Sequence, residues 1–186
     1  MKFNMGCGYN KIQGCVNVDA SPVCSPDIIF DLETLPWPWK TSVADSVIFN
    51  HSLEHMGQDS RVFLGIMKEL YRICKDGAEI FITVPHPRHD HFLGDPTHVR
   101  PITTLMLNLF DRQQNDYWKS IGASTTPLAH YLDVNFKIVG MNSTLDEPYS
   151  TMFAEKKLTA EQVVKLEREL NNVVTEVQYT LTAIKS

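Results

Sequence analysis

Apolar and polar positions fall along this chain in short runs that predict strands more often than helices. Phe3 and Met5, then Cys15, Val16 and Val18, mark two short buried strands. Asp27 to Asp31 predicts a third, and Ala44 to Asn50 a fourth that is apolar enough to be central in a sheet. Between these two, Leu35-Pro36-Trp37-Pro38-Trp39 is a proline-stiffened loop. Its tryptophans are expected to plug an edge of the core, with the wall of an acceptor pocket as the alternative. From about Ser60 to Cys74 the apolar residues Phe63, Ile66, Met67, Leu70, Ile73 and Cys74 share one helical face, and Gly77 is expected to stop the helix. Glu79 to Val84 predicts a fifth strand, ended by Pro85.

Pro101 opens a helix expected to run to about Tyr117, whereas residues 111 to 130 show no clear period. Val134 to Thr144 predicts a sixth strand. Thr159 with Gln162 is a capping-box pattern that starts a helix reaching about Asn172. Near the end, Val177, Tyr179, Leu181 and Ala183 alternate with Glu176, Gln178, Thr180 and Thr182; period two makes this a final strand. The alternation of strands with loops and helices implies an α/β parallel sheet with covered faces, in a single domain spanning residues 1–186.

The totals narrow the function class. A chain of 186 residues with 43% hydrophobic and 21% charged positions is one ordinary globular domain. A net charge of −5 gives no electrostatic footprint for a polyanion, so nucleic acid is not the favoured partner. Cys7, Cys15, Cys24 and Cys74 form no Cys-x-x-Cys and are expected as reduced thiols. No signal pattern and no membrane-length apolar run is seen, so a cytoplasmic location is expected, with no membrane partner.

The turn between the first two strands carries Gly6, Gly8 and Gly14, and Asp19 stands at the tip of the second strand. Glycines there let backbone approach a ligand, and a carboxylate at a strand tip can take two hydrogen bonds from a ribose diol. A dinucleotide fingerprint would place the acidic residue about 20 positions on. Here Asp19 follows Gly8 by eleven residues, which leaves no room for a crossover helix.

Taken together, Asn4-Met-Gly6-Cys-Gly8, Asn17-Val-Asp19, Asp31-Leu32, Leu53-Glu54-His55 and Lys75-Asp76-Gly77 occur in an order that resembles class I S-adenosylmethionine-dependent methyltransferases, small bacterial and phage members above all. The resemblance covers Lys2 to about Pro101, and the remainder by topology. It implies a doubly wound, mostly parallel seven-stranded sheet with an antiparallel last strand and helices on both faces. It also implies S-adenosylmethionine as cofactor. Gly6 and Gly8 would carry its methionine end, Asp19 its ribose, and Asp31 and Leu32 its adenine, with Asn50 and His51 on the sulfonium side. Asn4 stands where many members carry a carboxylate near the ligand's amino group, and Asn10 where they carry a third loop glycine. With Lys2 read as the start of the first strand, no counterpart of the family's N-terminal helix is expected over the crevice, and a second subunit of a homodimer is the expected cover.

His51-Ser-Leu-Glu54-His55 also spells an inverted zinc-protease pattern. A strand leads into it and Gly57 interrupts just beyond, so no metal is assigned to it. The segment from His86 to Arg100 carries His86, His89, His91, Asp95 and His98, on the crevice side of the sheet. Methyl transfer to an oxygen or protonated nitrogen gains from a base of near-neutral pKa. His98, then His86, are the candidate bases, with Asp95 as orienter; solvated loop residues and metal ligation by a subset are the alternatives. The resulting expectation is methyl transfer to a small-molecule or glycan-like acceptor. A non-catalytic S-adenosylmethionine-binding or interaction module of the same fold is the rival, and a histidine-based metal hydrolase the third reading.

Overall fold

A computed structural model describes residues 1–185, in which seven strands form one sheet. They are β1 (Lys2–Met5), β2 (Val16–Asp19), β3 (Ile28–Ile29), β4 (Ala44–Asn50), β5 (Cys74–Pro85), β6 (Phe136–Leu145) and β7 (Val174–Ala183). Their spatial order is β3-β2-β1-β4-β5-β7-β6. The first five run parallel, and β7 is antiparallel to both of its neighbours. The α/β class agrees with the sequence pattern, and the antiparallel last strand with what the family resemblance implied.

Two rungs of side chains cross the sheet on one face. Phe3, Val47, Ile80 and Leu181 are in register, as are Met5, Phe49, Ile82 and Tyr179, and all are at most 4% exposed. Helix α1 (Ser60–Ile73) buries Phe63, Ile66, Met67, Leu70 and Ile73 in the same core. Asp59 caps it, its side chain accepting from Arg61 N–H. The tryptophan loop plugs the edge of this core. Trp39 packs edge-on to Phe3 at 5.1 Å and to Trp37 at 5.8 Å, and Trp37 Nε1 donates to the Leu32 carbonyl.

The cover is unequal. Right-handed crossovers from β1 to β2 to β3 would place helices on the face opposite α1. Those connections hold only loops and one short 3-10 turn, so the rung Ile48–Phe81–Thr180 on that face is only partly covered, while Asn4 in the same rung is buried under the glycine loop. Phe81 is 38% exposed and Ile48 half-buried. Strand β7 therefore alternates apolar-in and polar-out, the period read from its sequence.

The remaining helices are short: α2 (Asp90–Leu93), α3 (Thr104–Asn108), α4 (Arg112–Ser120), α5 (Leu128–Leu132), α6 (Tyr149–Ala154) and α7 (Ala160–Glu169). The single helix expected from Pro101 to Tyr117 is broken in two. Asp111 is the N-cap of α4, accepting from Gln114 N–H, and an N-cap residue holds extended rather than helical backbone. At α7 both halves of the capping box form, Thr159 with Gln162, although the helix ends at Glu169, short of Asn172. No helix among the described residues is long and apolar enough to cross a membrane.

All four cysteines are free. Burial pushes the Cys74 thiol up to about 12 from 9.0. Because the folded value is raised, the associated stability is full below the unfolded pKa and falls as pH climbs from there. Urea unfolding is expected to show about 1 kcal/mol lower stability at pH 10 than at pH 7 from this group, a fall that shrinks in Cys74→Ala.

Candidate functional site

The parallel strands β1, β2 and β4 end at one edge of the sheet, and a crevice of about 370 Å³ opens there. Gly6 (φ +67°) turns the chain out of β1. A Cβ on it would lie 2.6 Å from Ser52 Cβ, so the loops after β1 and β4 press together at the crevice floor. Ser52 Oγ ties them further by donating to the Met5 carbonyl at 2.8 Å. Gly8 (φ +49°) has open space where a Cβ would stand, so main chain alone faces the crevice at that point.

Asp19 lies in the crevice wall, and its carboxylate accepts from Gly8 N–H and from Ser21 N–H, each at 2.8 Å. Each carboxylate oxygen retains a second lone pair for a ligand. Beneath the loop, Asn4 donates to the Asn10 carbonyl and to Asn17 Oδ1, both at 2.9 Å. Asp31 and the buried Leu32 form the far wall, where Asp31 Oδ1 is held by Glu33 N–H. Glu33 in turn accepts from Gly57 N–H.

His51 and His55 line this crevice and also a second cavity of about 730 Å³. His51 takes a left-handed backbone (φ 50°), which is strained for a residue with a Cβ. The Glu54 carboxylate, 3.7 Å from Nδ1, raises the His51 imidazole above its ordinary range against the effect of burial, and Glu176 at 3.1 Å from Nε2 adds to it. The second cavity is further lined by Glu54, His91, Asp95 and His98.

The loop after β5 is pinned to the turn after β4 through main chain. Val99 and Arg100 N–H both donate to the Glu54 carbonyl, at 3.0 and 3.1 Å, which brings the His98 ring to 4.5 Å from that of His55. Arg100 lies over the Phe63 ring at 4.4 Å, and burial lowers its pKa.

Of the residues singled out in the sequence, Gly6, Gly8, Asp19, Asp31, Leu32 and His51 meet at the crevice, and Asp95 and His98 meet in the cavity beside it. Asn4 and Asn50 do not line either. Asn4 is 1% exposed and spent on holding the glycine loop, and Asn50 ends β4 on the outward-facing side. His86 is separated from His98. Its Nε2 is bonded to Glu167 of α7 at 3.1 Å, and it faces a different cavity with Thr104 and Tyr179. Burial lowers its pKa, with Glu167 opposing. His89 is likewise structural, capping α2 and paired with Asp146. Sequence reasoning passed over Glu33, Ser52 and Met56 as crevice residues; the run from Ser52 to Gly57 was the signal, because it follows a central strand directly.

No protein-family model matches the chain, and no curated protein matches it. Many solved structures share its fold. An S-adenosylmethionine-dependent methyltransferase from Archaeoglobus fulgidus superposes with a TM-score of 0.62 at 16% identity, over 97% of this chain and 85% of that one. A Thermotoga maritima protein described as a possible histamine N-methyltransferase gives a TM-score of 0.56 at 14% identity, over 99% and 81%. The cyclase SpnF gives 0.54 at 13%, over 100% and 74%. At such identities the likeness shows that the chain has this fold, and one fold can host different chemistries.

Proposed function

We propose that the chain is an S-adenosylmethionine-dependent methyltransferase acting on a small hydroxylated or glycan-like acceptor. The observation that carries this reading is a pair of neighbouring cavities: a glycine-floored crevice with Asp19 in its wall, sharing His51 and His55 with a second cavity lined by histidines and carboxylates. The residues fit the cofactor. Gly6 lines the crevice where the loops after β1 and β4 meet, main chain at Gly8 admits a close approach, the Asp19 lone pairs suit a ribose diol, and Asp31 with Leu32 offers one acceptor and one apolar wall to an adenine. When bound there, the cofactor supplies an electrophilic methyl group on a sulfonium.

The protein's contribution is alignment and removal of water. Ser52, tied to the Met5 carbonyl, and the strained His51 hold the turn after β4, where the two cavities share lining residues and where an acceptor and the cofactor would have to be brought together. The second chamber presents the imidazoles of His91 and His98 and the carboxylates of Asp95 and Glu176, a lining that hydrogen-bonds a polyol. The Nδ1 of His98 donates to the Phe92 carbonyl at 3.0 Å, which leaves its Nε2 lone pair free to receive an acceptor's proton.

The test is incubation with methyl-labelled S-adenosylmethionine and a panel of sugars, sugar phosphates, nucleotide sugars and small amines. Label is expected in a hydroxylated acceptor, with equimolar S-adenosylhomocysteine. Cofactor binding without transfer to any member would leave a non-catalytic module; absence of cofactor binding would end the reading.

A further inference from the structure

We infer that Glu54, His55 and His98 form a binding site for a divalent transition cation of the zinc class, at the boundary between the two chambers. Each residue offers a ligand atom, and these atoms lie within 4.8 Å of one another. The first supporting observation is Glu54 itself. Its side chain is 0% exposed, and neither carboxylate oxygen has a hydrogen-bond partner. Among the described residues the basic group within 4.0 Å of it is His51, whose Nδ1 at 3.7 Å is too distant for a hydrogen bond. Burying a carboxylate without a partner is unfavourable, and coordination to a cation removes that penalty.

The second observation is the set of partners behind the two histidines. His55 Nδ1 meets Thr97 Oγ1 at 2.9 Å. The Thr97 hydroxyl gives its own proton to Asp95 Oδ1 at 2.6 Å, so it accepts from His55 and the imidazole proton sits on Nδ1. The carbonyl of Phe92 places the proton of His98 on Nδ1 in the same way. Both rings therefore keep their lone pair on Nε2, with the Nδ1–H anchored, as metal-ligating histidines are held. Phe92 also stacks on His98 at 5.3 Å and fixes the ring plane.

Two imidazole nitrogens and one carboxylate are the protein ligands of a catalytic zinc site, which keeps a fourth position open. Closing the three ligand atoms to the edge of a zinc tetrahedron, about 3.3 Å, needs side-chain rotations on the order of 1 Å. All three residues line the 730 Å³ chamber, and a water or a hydroxyl oxygen from it would take the open position. This set differs from the His51–His55 pairing of the inverted protease pattern, because Leu53–His55 forms a 3-10 turn and not the middle of an α-helix. With a cation bound, His98 acts as a ligand and not as a base. That role for the acceptor rests on the methyl-transfer reading; the site does not.

The experiment is calorimetric titration of the chelator-stripped full chain with Zn2+, and with Co2+ followed by its visible absorption. One equivalent is expected to bind, with the tetrahedral cobalt spectrum. Glu54→Gln and His98→Ala should each weaken binding at least about 100-fold, and Thr97→Val, which keeps every ligand, about 10-fold. Circular dichroism establishes that each variant folds, and Thr97→Val keeps the test decisive should a ligand variant fail to. Without metal, Glu54→Gln should melt higher than the parent, because the orphaned carboxylate is gone. No stoichiometric binding, or equal affinity in Glu54→Gln or in Thr97→Val, overturns the site. None of these readouts depends on methyl transfer, so the two assignments fail separately.

Discussion

Asp19→Asn is expected to weaken binding of S-adenosylhomocysteine by about 100-fold, measured by calorimetry on folded protein. The carboxylate sits in the crevice wall and organises it from behind, through Gly8 N–H and Ser21 N–H. A ribose diol would add two charge-assisted bonds on its free lone pairs. Bonds to a charged group are worth about 1.5–3 kcal/mol each, and asparagine offers one oxygen with no charge, so about 3 kcal/mol, or 100-fold, is lost. The amide also leaves the Gly8 loop less firmly held, which lowers Tm slightly. Were Asp19 only a fastening for that loop, Tm would fall while the affinity of the folded fraction stayed unchanged. That outcome would remove the central support for an adenosyl site.

Gly57→Ala should destabilise the fold by about 3 kcal/mol or more, or roughly 10 °C in Tm for a domain of this length. Gly57 has φ +68°, and an added Cβ would lie 2.5 Å from Phe63 Cβ and 2.6 Å from its Cα. Left-handed backbone alone costs about 1–2 kcal/mol, and the clash is with main chain of α1, which cannot rotate away. The glycine also donates to Glu33 at the crevice and accepts from Arg100 beside the cation cluster, so both chambers should loosen together. Gly122→Ala is the control. It has φ +71° with open space around it, and thermal melts should show only the backbone share of the loss. Equal losses in the two variants would mean that packing against Phe63 contributes nothing.

What the sequence disclosed was what short spacings govern. The eleven residues from Gly8 to Asp19 implied a helix-free first crossover, and the structure has none there. Alternation in β7 told strand from helix. The fracture between α3 and α4 was written locally too, in Asp111 three residues before Gln114, but the proline and the inward leucines on its N-terminal side outweighed it. Long-range docking was out of reach. His86 and His98 look alike on one loop, and only Glu167, eighty-one residues further along, draws His86 away from the crevice. The isolation of Glu54 depends on Val99 and Arg100 closing over its carbonyl, a contact across forty-five residues that no periodicity announces.

The helix-poor flank of the sheet carries a practical consequence. Positions such as Glu79, Phe81, Gln178 and Thr180 project from a rigid platform into water, while their neighbours Ile80, Ile82, Tyr179 and Leu181 are locked inside. Labels, linkers or solubilising charges can be written onto Glu79 and Phe81, which line neither chamber. The molecule thus comes with a flat handle by which it can be tethered, its working edge left free.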